Sequence, residues 1–172
     1  MIIFDPRQKQ SLFEFGIEIP VHDSRAMNTF KQLTSHPVLG PKINDWHIDS
    51  INETITKDDL LRAHSGPYVQ NLFSDELEKE IIRTYELIDD QGRCNRYDPA
   101  NATLPLTQLF DRILIKVAGS VQCCMVALDK GFCFSFGGGN HHAQREYGAG
   151  FCLLNDIVIA ARKLQAEALI EP

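Results

Sequence analysis

Residues 132–155 read FCFSFGGGNHHAQREYGAGFCLLN, and this stretch decides the fold class. Phenylalanine occupies every second position of residues 132–136 and no charge lies among them, which is typical of a strand buried on both faces of a parallel sheet. The strand ends at glycines 137–139, which allow a sharp turn or a close approach to a ligand. His141 and His142 follow at once. Because ligands bind at the carboxyl ends of strands in open α/β sheets, this stretch predicts the functional site.

Apolar spacing predicts a helix on each side of this strand. A stripe at three- and four-residue intervals predicts one helix over residues 105–128, which Gly131 ends. A helix, a buried strand, a glycine loop and a helix form a βα unit, so the sequence predicts an α/β fold with an open parallel sheet and helices on both faces. The second helix is predicted over residues 155–169, with four residues facing inward: Ile157, Ala161, Leu164 and Ala168.

The chain before residue 105 predicts many helices and few strands. This ratio is expected of a doubly wound sheet whose later strands are absent from the chain. No linker or repeat divides the sequence, so residues 1–172 are predicted to lie in one domain without an internal boundary. The predicted elements are a strand over residues 1–4, a helix that begins at Asp23 or Ser24 and carries Ala26, Met27, Phe30 and Leu33 on one face, a helix opened by a capping box at Thr56 and Asp59, a charged helix over 75–90 and a loop over 91–104.

Length and composition exclude several classes of protein. With 172 residues, of which 44% are hydrophobic and 23% charged, the chain has the composition of a soluble globular domain. The net charge of −6 and the lack of a basic run argue against nucleic-acid binding, since phosphate neutralisation needs clustered Lys and Arg. The five cysteines form no C-x-x-C pair, and no apolar span reaches about 18 residues. We therefore expect a cytoplasmic location and no membrane association.

The run GGGNHHAQREYGAGFCLLNDIVIAA, residues 137–161, resembles the tandem-histidine motif of the histone deacetylase superfamily. This superfamily comprises zinc-dependent amide hydrolases, including histone deacetylases, acetylpolyamine amidohydrolases and acetoin-utilisation proteins. The order and spacing of the glycines, the His-His-Ala and Gly-Phe-Cys triplets and the Asn-Asp pair carry the resemblance. A weaker similarity lies in LLRAHSGPYV, residues 60–69. The resemblance implies that the chain is the amino-terminal part of an arginase/deacetylase-like domain.

The resemblance also implies a role for the two histidines. His142 would act as general base and His141 as a second, cationic group that steadies the developing oxyanion. The chemistry is sound, because a neutral imidazole can accept a proton from water and return it to a leaving amine near neutral pH. The alternative is a pair of buried structural imidazoles. A direct metal-ligand role is less expected, since zinc needs three or four ligands and no partner lies at motif spacing.

Three further residues match substrate-binding positions of the family. Phe151 would form a wall of a narrow tunnel for the acyl-lysine stem, and the Gly150 carbonyl would face the amide nitrogen. Asp98 resembles a rim residue that holds substrate backbone amides, and a carboxylate accepting two amide bonds suits that task. The alternatives are a core phenylalanine at position 151 and an ordinary Asp-Pro turn at position 98.

Four neighbouring positions are interpreted as structural or left open. His64 is predicted to be a structural histidine that bonds a loop carbonyl. Asn155 and Asp156 are predicted to cap and open the last helix, and so to support the site without taking part in turnover. Cys152 receives no role, because a cysteine in such a run is usually inert packing.

The metal site of the family is the feature that the motif does not supply. Family members bind the metal through an Asp-x-His motif on the strand after the His-His helix and through a later Asp, and residues 156–172 contain no such motif. We therefore expect zinc as cofactor, with ligands beyond Pro172, and no metal ligand in this chain. The expected activity is removal of an acetyl or other acyl group from lysine or polyamine amides. The chain alone is expected to be inactive and to need the missing carboxyl-terminal part of the domain. A non-catalytic truncated paralogue or binding module is the alternative.

Overall fold

A computed structural model describes residues 1–9 and 11–171 of the protein. Three short parallel strands form one sheet in the order β2-β1-β3, with Ile2 of β1 opposite His47 of β2 and Phe134 of β3. The chain combines this parallel sheet with α-helices, which confirms the predicted α/β class. The strands are β1 (Ile2–Ile3), β2 (His47–Ile48) and β3 (Phe134–Ser135). The helices are α1 (Ser24–Ser35), α2 (Ile43–Trp46), α3 (Lys57–Leu61), α4 (Gly66–Leu72), α5 (Leu77–Tyr85), α6 (Leu109–Lys130) and α7 (Asp156–Ala166).

Local sequence signals set the ends of several helices. The capping box predicted at Thr56 and Asp59 is confirmed: the Thr56 hydroxyl accepts the Asp59 amide and the Asp59 carboxylate accepts the Thr56 amide. Gly131 ends α6 in the left-handed conformation, with φ of 81°, as predicted. Helix α5 is shorter than predicted, because Glu86 takes a left-handed φ of 54° and stops the helix after Tyr85.

Helix α6 is the centre of the fold. Two nearby positions in its middle have different partners: Ala118 packs with Ile3 and Ile51, whereas Val121 packs with residues of α7. The main core lies between α3, α4, α5, α6 and α7 and contains two fully buried leucines of the segment before α7, Leu153 and Leu154. Burial of this segment fixes the carboxyl-terminal end of the loop over residues 137–152, which carries the glycines and the histidine pair.

The buried face of α7 differs from the predicted one. Ile157, Ala161 and Ala168 are exposed, and of the four residues predicted to face inward only Leu164 is buried. The buried face is turned relative to the predicted one because Asp156 is fully buried against the glycine loop. In an α-helix, the residues three, four and eight positions after Asp156 lie on the same face as it does. The residues of α7 that are buried are Asp156, Ile159, Ala160 and Leu164.

The phenylalanine-rich strand is not buried on both faces as predicted. Phe132 is 64% exposed and Phe134 is 51% exposed. The physical reason is that β3 lies at an edge of the described sheet, where β1 is its one neighbour. Phe136, directly after β3, is only partly exposed, and its ring lies 5.5 Å from that of Phe4 and 5.4 Å from that of Phe134.

Helix α1 lies where the sequence predicts it, but it buries little of its surface against the rest of the protein. None of its residues is buried, and Met27 on the predicted inner face is 58% exposed. Phe30 connects the helix to the sheet region, because its ring stacks 4.4 Å from that of Phe4, which follows β1, and lies 4.6 Å from that of His47 in β2. Among residues 1–9 and 11–171, no helix is both long and apolar enough to cross a membrane.

Candidate active site around the histidine pair

The glycine loop after β3 lies directly against α6 and α7. A Cβ on Gly138 would be 2.3 Å from the Ser120 hydroxyl and 2.9 Å from the Asp156 carboxylate, so only glycine fits at this position. Gly139 has a φ of 96°, and its amide donates to the Asp156 carboxylate at 2.9 Å. The loop is therefore held from beneath by a buried acidic side chain.

His141 and His142 are both exposed and lie side by side on this loop. Their ring centroids are 4.1 Å apart, and the ring planes are inclined by 39°. Nδ1 of His141 lies 2.8 Å from the Gly139 carbonyl oxygen. A carbonyl only accepts, so Nδ1 carries the proton in this contact and Nε2 is the unprotonated nitrogen of the neutral ring. Both rings are exposed among the described residues, and the catalytic role of the pair stays a prediction.

Asn155 ties the backbone of the histidine loop to the start of α7. Its side-chain oxygen accepts the Val158 amide, which confirms the predicted helix cap. Its side-chain amide donates to the backbone carbonyls of His141 and Ala143, at 3.3 and 3.1 Å. One residue therefore satisfies the helix end and fixes the loop on both sides of His142.

His64 supports the same loop from the other side and is a structural histidine, as predicted. It is 3% exposed, and its Nδ1 lies 2.9 Å from the Gln144 carbonyl oxygen. Its Nε2 accepts the Asn155 amide at 3.2 Å, so the ring is neutral with its proton on Nδ1. Burial lowers the pKa of His64, and the bonds to the loop carbonyls offset this only in part.

Gly150 and Phe151 form the next part of the site. Both have positive φ, 53° and 63°, and a φ in this range is uncommon for a residue with a large side chain. Phe151 is 36% exposed, and its ring lies 6.1 Å from that of Tyr85 and 5.5 Å from the Arg96 guanidinium. Phe151 is therefore a wall of an open surface feature and not an ordinary core side chain. Its contact with substrate stays a prediction.

A cavity of about 210 Å³ opens beside Phe151. It is lined mainly by apolar side chains, and neither ring of the histidine pair lines it, although the adjacent Asn140 does. Lys116 is the charged residue among those lining the cavity, and burial lowers the pKa of its ammonium. The residues lining the cavity include Lys116 and four residues of the loop region: Asn140, Gly150, Phe151 and Cys152.

Lys116 was missed by the sequence analysis. A signal was present, because a lysine stands between Ile113 and Val117 in the middle of an otherwise apolar stripe. Such a residue either reaches the surface along its alkyl stem or faces a cavity. The structure shows the second case for this position.

Asp98 is not brought to the cavity. Its carboxylate accepts the Ala100 amide at 3.0 Å and the Asn101 side-chain amide at 2.7 Å. These bonds make it the cap of a short 3-10 helix, Pro99–Asn101, as in the alternative of an ordinary turn. A role for Asp98 in substrate binding stays a prediction.

The described residues do not provide a zinc site. Within residues 1–9 and 11–171, no group of three or more His, Cys, Asp and Glu side chains could hold a metal ion. The chain has one Asp-x-His sequence, Asp45 to His47, but it lies at β2, before the histidine pair, and Nε2 of His47 is 3.1 Å from the Phe4 carbonyl oxygen. The residues present therefore do not fit zinc, which needs three or four ligands.

Comparison with known proteins agrees with this arrangement. A protein of Picosynechococcus named as uncharacterized is 42% identical over 63 residues, which are 37% of this chain and 21% of that protein. Histone deacetylase HDAC1 of Drosophila melanogaster is 30% identical over 112 residues, covering 63% of this chain and 20% of that protein. Histone deacetylase B of Dictyostelium discoideum is 29% identical over 109 residues, covering 62% and 24%. The chain thus spans about a fifth to a quarter of the length of these curated relatives.

The family comparison covers most of the chain and includes every predicted site residue. The model that describes the histone deacetylase domain matches residues 19–171, a range that contains the histidine pair, the glycine loop and Phe151. The resemblance predicted from residues 137–161 is therefore confirmed: the chain belongs to the histone deacetylase family.

Proposed function

We propose that this chain contributes the histidine pair and one wall of the substrate site to a hydrolase that removes an acyl group from an amide. The substrate in this proposal is an acylated lysine peptide or an acetylated polyamine, in a cytoplasmic setting. The observation that carries the proposal is the position of His141 and His142, exposed and adjacent at the carboxyl end of β3, next to the open Phe151 wall. Membership of the histone deacetylase family supports the reaction class.

The two histidines have different surroundings, which supports different roles. His141 is held by the Gly139 carbonyl through Nδ1, so its orientation is fixed. Among the described residues, the His142 ring packs against Gly150 and His141 and makes no hydrogen bond. His142 is therefore free to exchange a proton with a water molecule and with the leaving amine, which is the task of a general base.

Phe151 supports the acyl-amide part of the proposal. A partly exposed aromatic ring at the mouth of an apolar cavity can cover the methylene groups of an extended amine. Both the lysine side chain and a polyamine offer such a stem. The neighbouring Gly150 has no side chain, so the substrate amide can come close to its backbone.

Zinc remains part of the proposal, but its ligands would come from polypeptide other than the described residues. The part of the chain that the structure describes holds no group of three or more metal-binding side chains. We therefore assign to this chain proton transfer and substrate positioning only. The matched relatives are four to five times longer than the segment they share with it, and they are named as histone deacetylases in four of five cases.

The experiment that tests the proposal measures acetate release from an acetyl-lysine peptide in the presence of zinc. Two proteins are compared: residues 1–172 and a longer protein read from the same coding sequence past Pro172. Activity is expected from the longer protein and not from residues 1–172. Replacing His142 by Ala in the longer protein should lower the rate about 10²- to 10⁴-fold, which is the usual contribution of a general base.

A matched control is the exposed His36, whose Nδ1 accepts backbone amides at the end of α1, far from the loop in sequence. His36→Ala should keep the rate of acetate release. A longer protein that retains full activity after His142→Ala contradicts the proposal. A coding sequence that stops at Pro172, together with peptide binding but no acetate release, would favour the alternative of a binding module.

A further inference from the structure

The surface beside Phe151 brings together residues with an uncommon backbone conformation. Among the described residues, four residues other than glycine have a positive φ, and three of these lie together: Glu86 at 54°, Arg96 at 50° and Phe151 at 63°. The Arg96 guanidinium lies 5.5 Å from the centre of the Phe151 ring and 3.6 Å from the Glu86 carboxylate. A positive φ is costly for a residue with a side chain, and such residues cluster at functional sites. The contacts of Arg96 therefore call for a functional explanation.

Hydrogen bonds fix the backbone at Arg96. Its carbonyl accepts the Glu18 amide at 2.8 Å. The preceding residue, Asn95, is bound twice to the turn after α5, because its backbone amide donates to the Leu87 carbonyl at 2.8 Å and its side chain donates to the Glu86 carbonyl at 2.9 Å. The Arg96 side chain therefore starts from a backbone that two other segments hold in place.

A second arginine stacks on an aromatic ring nearby. The Arg83 guanidinium lies 5.9 Å from the centre of the Tyr147 ring. A groove of about 410 Å³, here called the rim groove, is lined by Arg83, Glu86, Tyr147 and residues 148–150, and so it ends next to Phe151. The rim groove therefore joins the proposed substrate wall to a surface that carries two stacked guanidinium groups.

The exposed charge around the rim groove is mainly positive. The side chains of Arg83 and Arg96 are 55% and 43% exposed. The Glu80 carboxylate that binds Arg83 is only 9% exposed and also accepts the Asn71 side-chain amide, so little of it is open to a ligand. Glu86 is exposed, but one ion pair at 3.6 Å leaves most of the five N–H groups of Arg96 for another acceptor. An incoming molecule thus meets two guanidinium groups and one carboxylate from these residues.

We propose that Arg83 and Arg96 select the substrate by binding an aspartate or glutamate side chain beside the acyl-lysine of a peptide. A guanidinium stacked on a ring presents its planar donors in one orientation, and a carboxylate accepts two of them at once. An acetylated polyamine carries a protonated amine instead, which two guanidinium groups repel. This inference rests on the proposed function, because it assigns the acyl-lysine stem to the Phe151 wall, but binding at the rim groove is measured without zinc or turnover.

The test measures binding to residues 1–172 by NMR titration at low ionic strength, with the arginine Nε–Hε signals as reporters. Four ligands are compared: an acetyl-lysine peptide with aspartate on both sides, the same peptide with alanine on both sides, the aspartate peptide with glutamine in place of acetyl-lysine, and N-acetylputrescine. The aspartate peptide should bind about fivefold more tightly than the alanine peptide, the upper range for an exposed ion pair. N-acetylputrescine should bind more weakly than either acetyl-lysine peptide.

Arg96→Gly removes the guanidinium and suits the left-handed backbone, so it should fold as the wild type does. This variant and Arg83→Ala should each reduce the preference for aspartate over alanine to less than about twofold. Arg96→Lys keeps a charge but not the planar donors, so it should keep a smaller preference than the wild type. Arg93→Ala is the matched control, because Arg93 is 69% exposed and pairs with Asp89, and it should keep the full preference.

The proposal is overturned by a wild-type protein that binds the aspartate and alanine peptides equally, or that binds N-acetylputrescine as tightly as the aspartate peptide. A full preference for aspartate in Arg96→Gly would overturn it as well. Failure of the proposed function has a different signature. In that case the acetyl-lysine and glutamine forms of the aspartate peptide bind equally, while the comparison of the arginine variants still decides the role of the rim groove.

Discussion

The His142 imidazole lies against the α-carbon of Gly150, and no side chain fits between them. A Cβ on Gly150 would be 2.7 Å from Cγ and 2.8 Å from Cβ of His142. Carbon atoms do not approach within 3 Å, and Cβ and Cγ are held close to the His142 backbone, so a side chain at position 150 would displace the ring or the loop. The Gly-Phe-Cys triplet and the His-His pair are thus linked by direct contact, as well as by their order in the sequence.

The first prediction concerns Gly150→Ala. We expect this change to displace the His142 ring and to lower the free energy of unfolding by about 2–4 kcal/mol, because it combines a left-handed φ with overpacking. Urea denaturation measures the stability, and the NMR signals of the His142 ring report its displacement.

The control for this change is Gly92→Ala. Gly92 has a φ of 75°, and a Cβ there would meet nothing within 4 Å. Gly92→Ala should therefore lower the free energy of unfolding only through backbone strain, by about 1–2 kcal/mol, and should leave the His142 signals in place. Equal losses in the two variants, with unmoved His142 signals in both, would show that the contact with Gly150 does not position the ring.

The second prediction separates the two tasks of Asn155. Asn155→Ala removes a helix cap and also two bonds to the carbonyls of His141 and Ala143. We expect a loss of about 1–2 kcal/mol in unfolding free energy from the cap and the loop bonds together. Amide hydrogen exchange should become faster over residues 141–144, because the loop is no longer tied to α7.

Thr56→Ala is the matched variant, since Thr56 caps α3 through the same kind of bond but does not touch the histidine loop. It should lose a similar cap contribution, about 1 kcal/mol, without faster exchange in residues 141–144. Exchange that is unchanged in Asn155→Ala would mean that burial of the loop, and not Asn155, keeps it ordered.

The sequence predicted the order of elements around the site because the signals for them are local. Spacing of apolar residues, the left-handed Gly131 and the caps at Thr56 and Asn155 depend on neighbours within a few positions. His64 was predicted correctly for its chemistry, although its partner Gln144 is 80 positions away.

The errors come from contacts that local patterns do not contain. An apolar strand is expected to be buried, but the burial of Phe134 depends on a neighbouring strand at an edge that is open in the described sheet. The face of α7 was assigned from polarity, which places an aspartate outside and an isoleucine inside. Asp156 is inside and Ile157 is 54% exposed, because the Gly139 amide and Ser120 supply bonds to the carboxylate.

The third prediction follows from the open edge of β3. An edge strand with exposed apolar side chains pairs with other chains, so we expect residues 1–172 to self-associate at micromolar concentration. Phe134→Lys should reduce this association, because a charge on an edge strand opposes pairing. Size exclusion with light scattering measures the mass as a function of concentration.

Phe73→Lys is the control for a general loss of surface hydrophobicity. Phe73 is 49% exposed, close to the 51% of Phe134, but it follows α4 and belongs to no strand of the sheet. Its replacement should leave the association unchanged. A wild-type chain that stays monomeric over the whole concentration range, and melts cooperatively, would show that the edge of β3 is not a binding surface.

The last prediction concerns stability below neutral pH. Burial lowers the pKa of His64 in the folded protein below its ordinary value of 6.5. Between these two pKa values, His64 is protonated in the unfolded chain and neutral in the folded chain. The contribution of His64 to stability is therefore complete above pH 6.5 and is lost as the pH falls from 6.5 toward the folded pKa. The loss has a slope of at most about 1.4 kcal/mol for each pH unit within that window.

His64→Gln isolates this contribution, because glutamine is polar and does not titrate. Urea denaturation between pH 8 and pH 5 should show a smaller decrease of unfolding free energy on acidification in His64→Gln than in the wild type. Since protonated His64 can no longer accept the Asn155 amide through Nε2, the same acidification should loosen the histidine loop before global unfolding. Parallel pH profiles for wild type and His64→Gln would mean that burial does not lower the pKa of His64 in the folded protein.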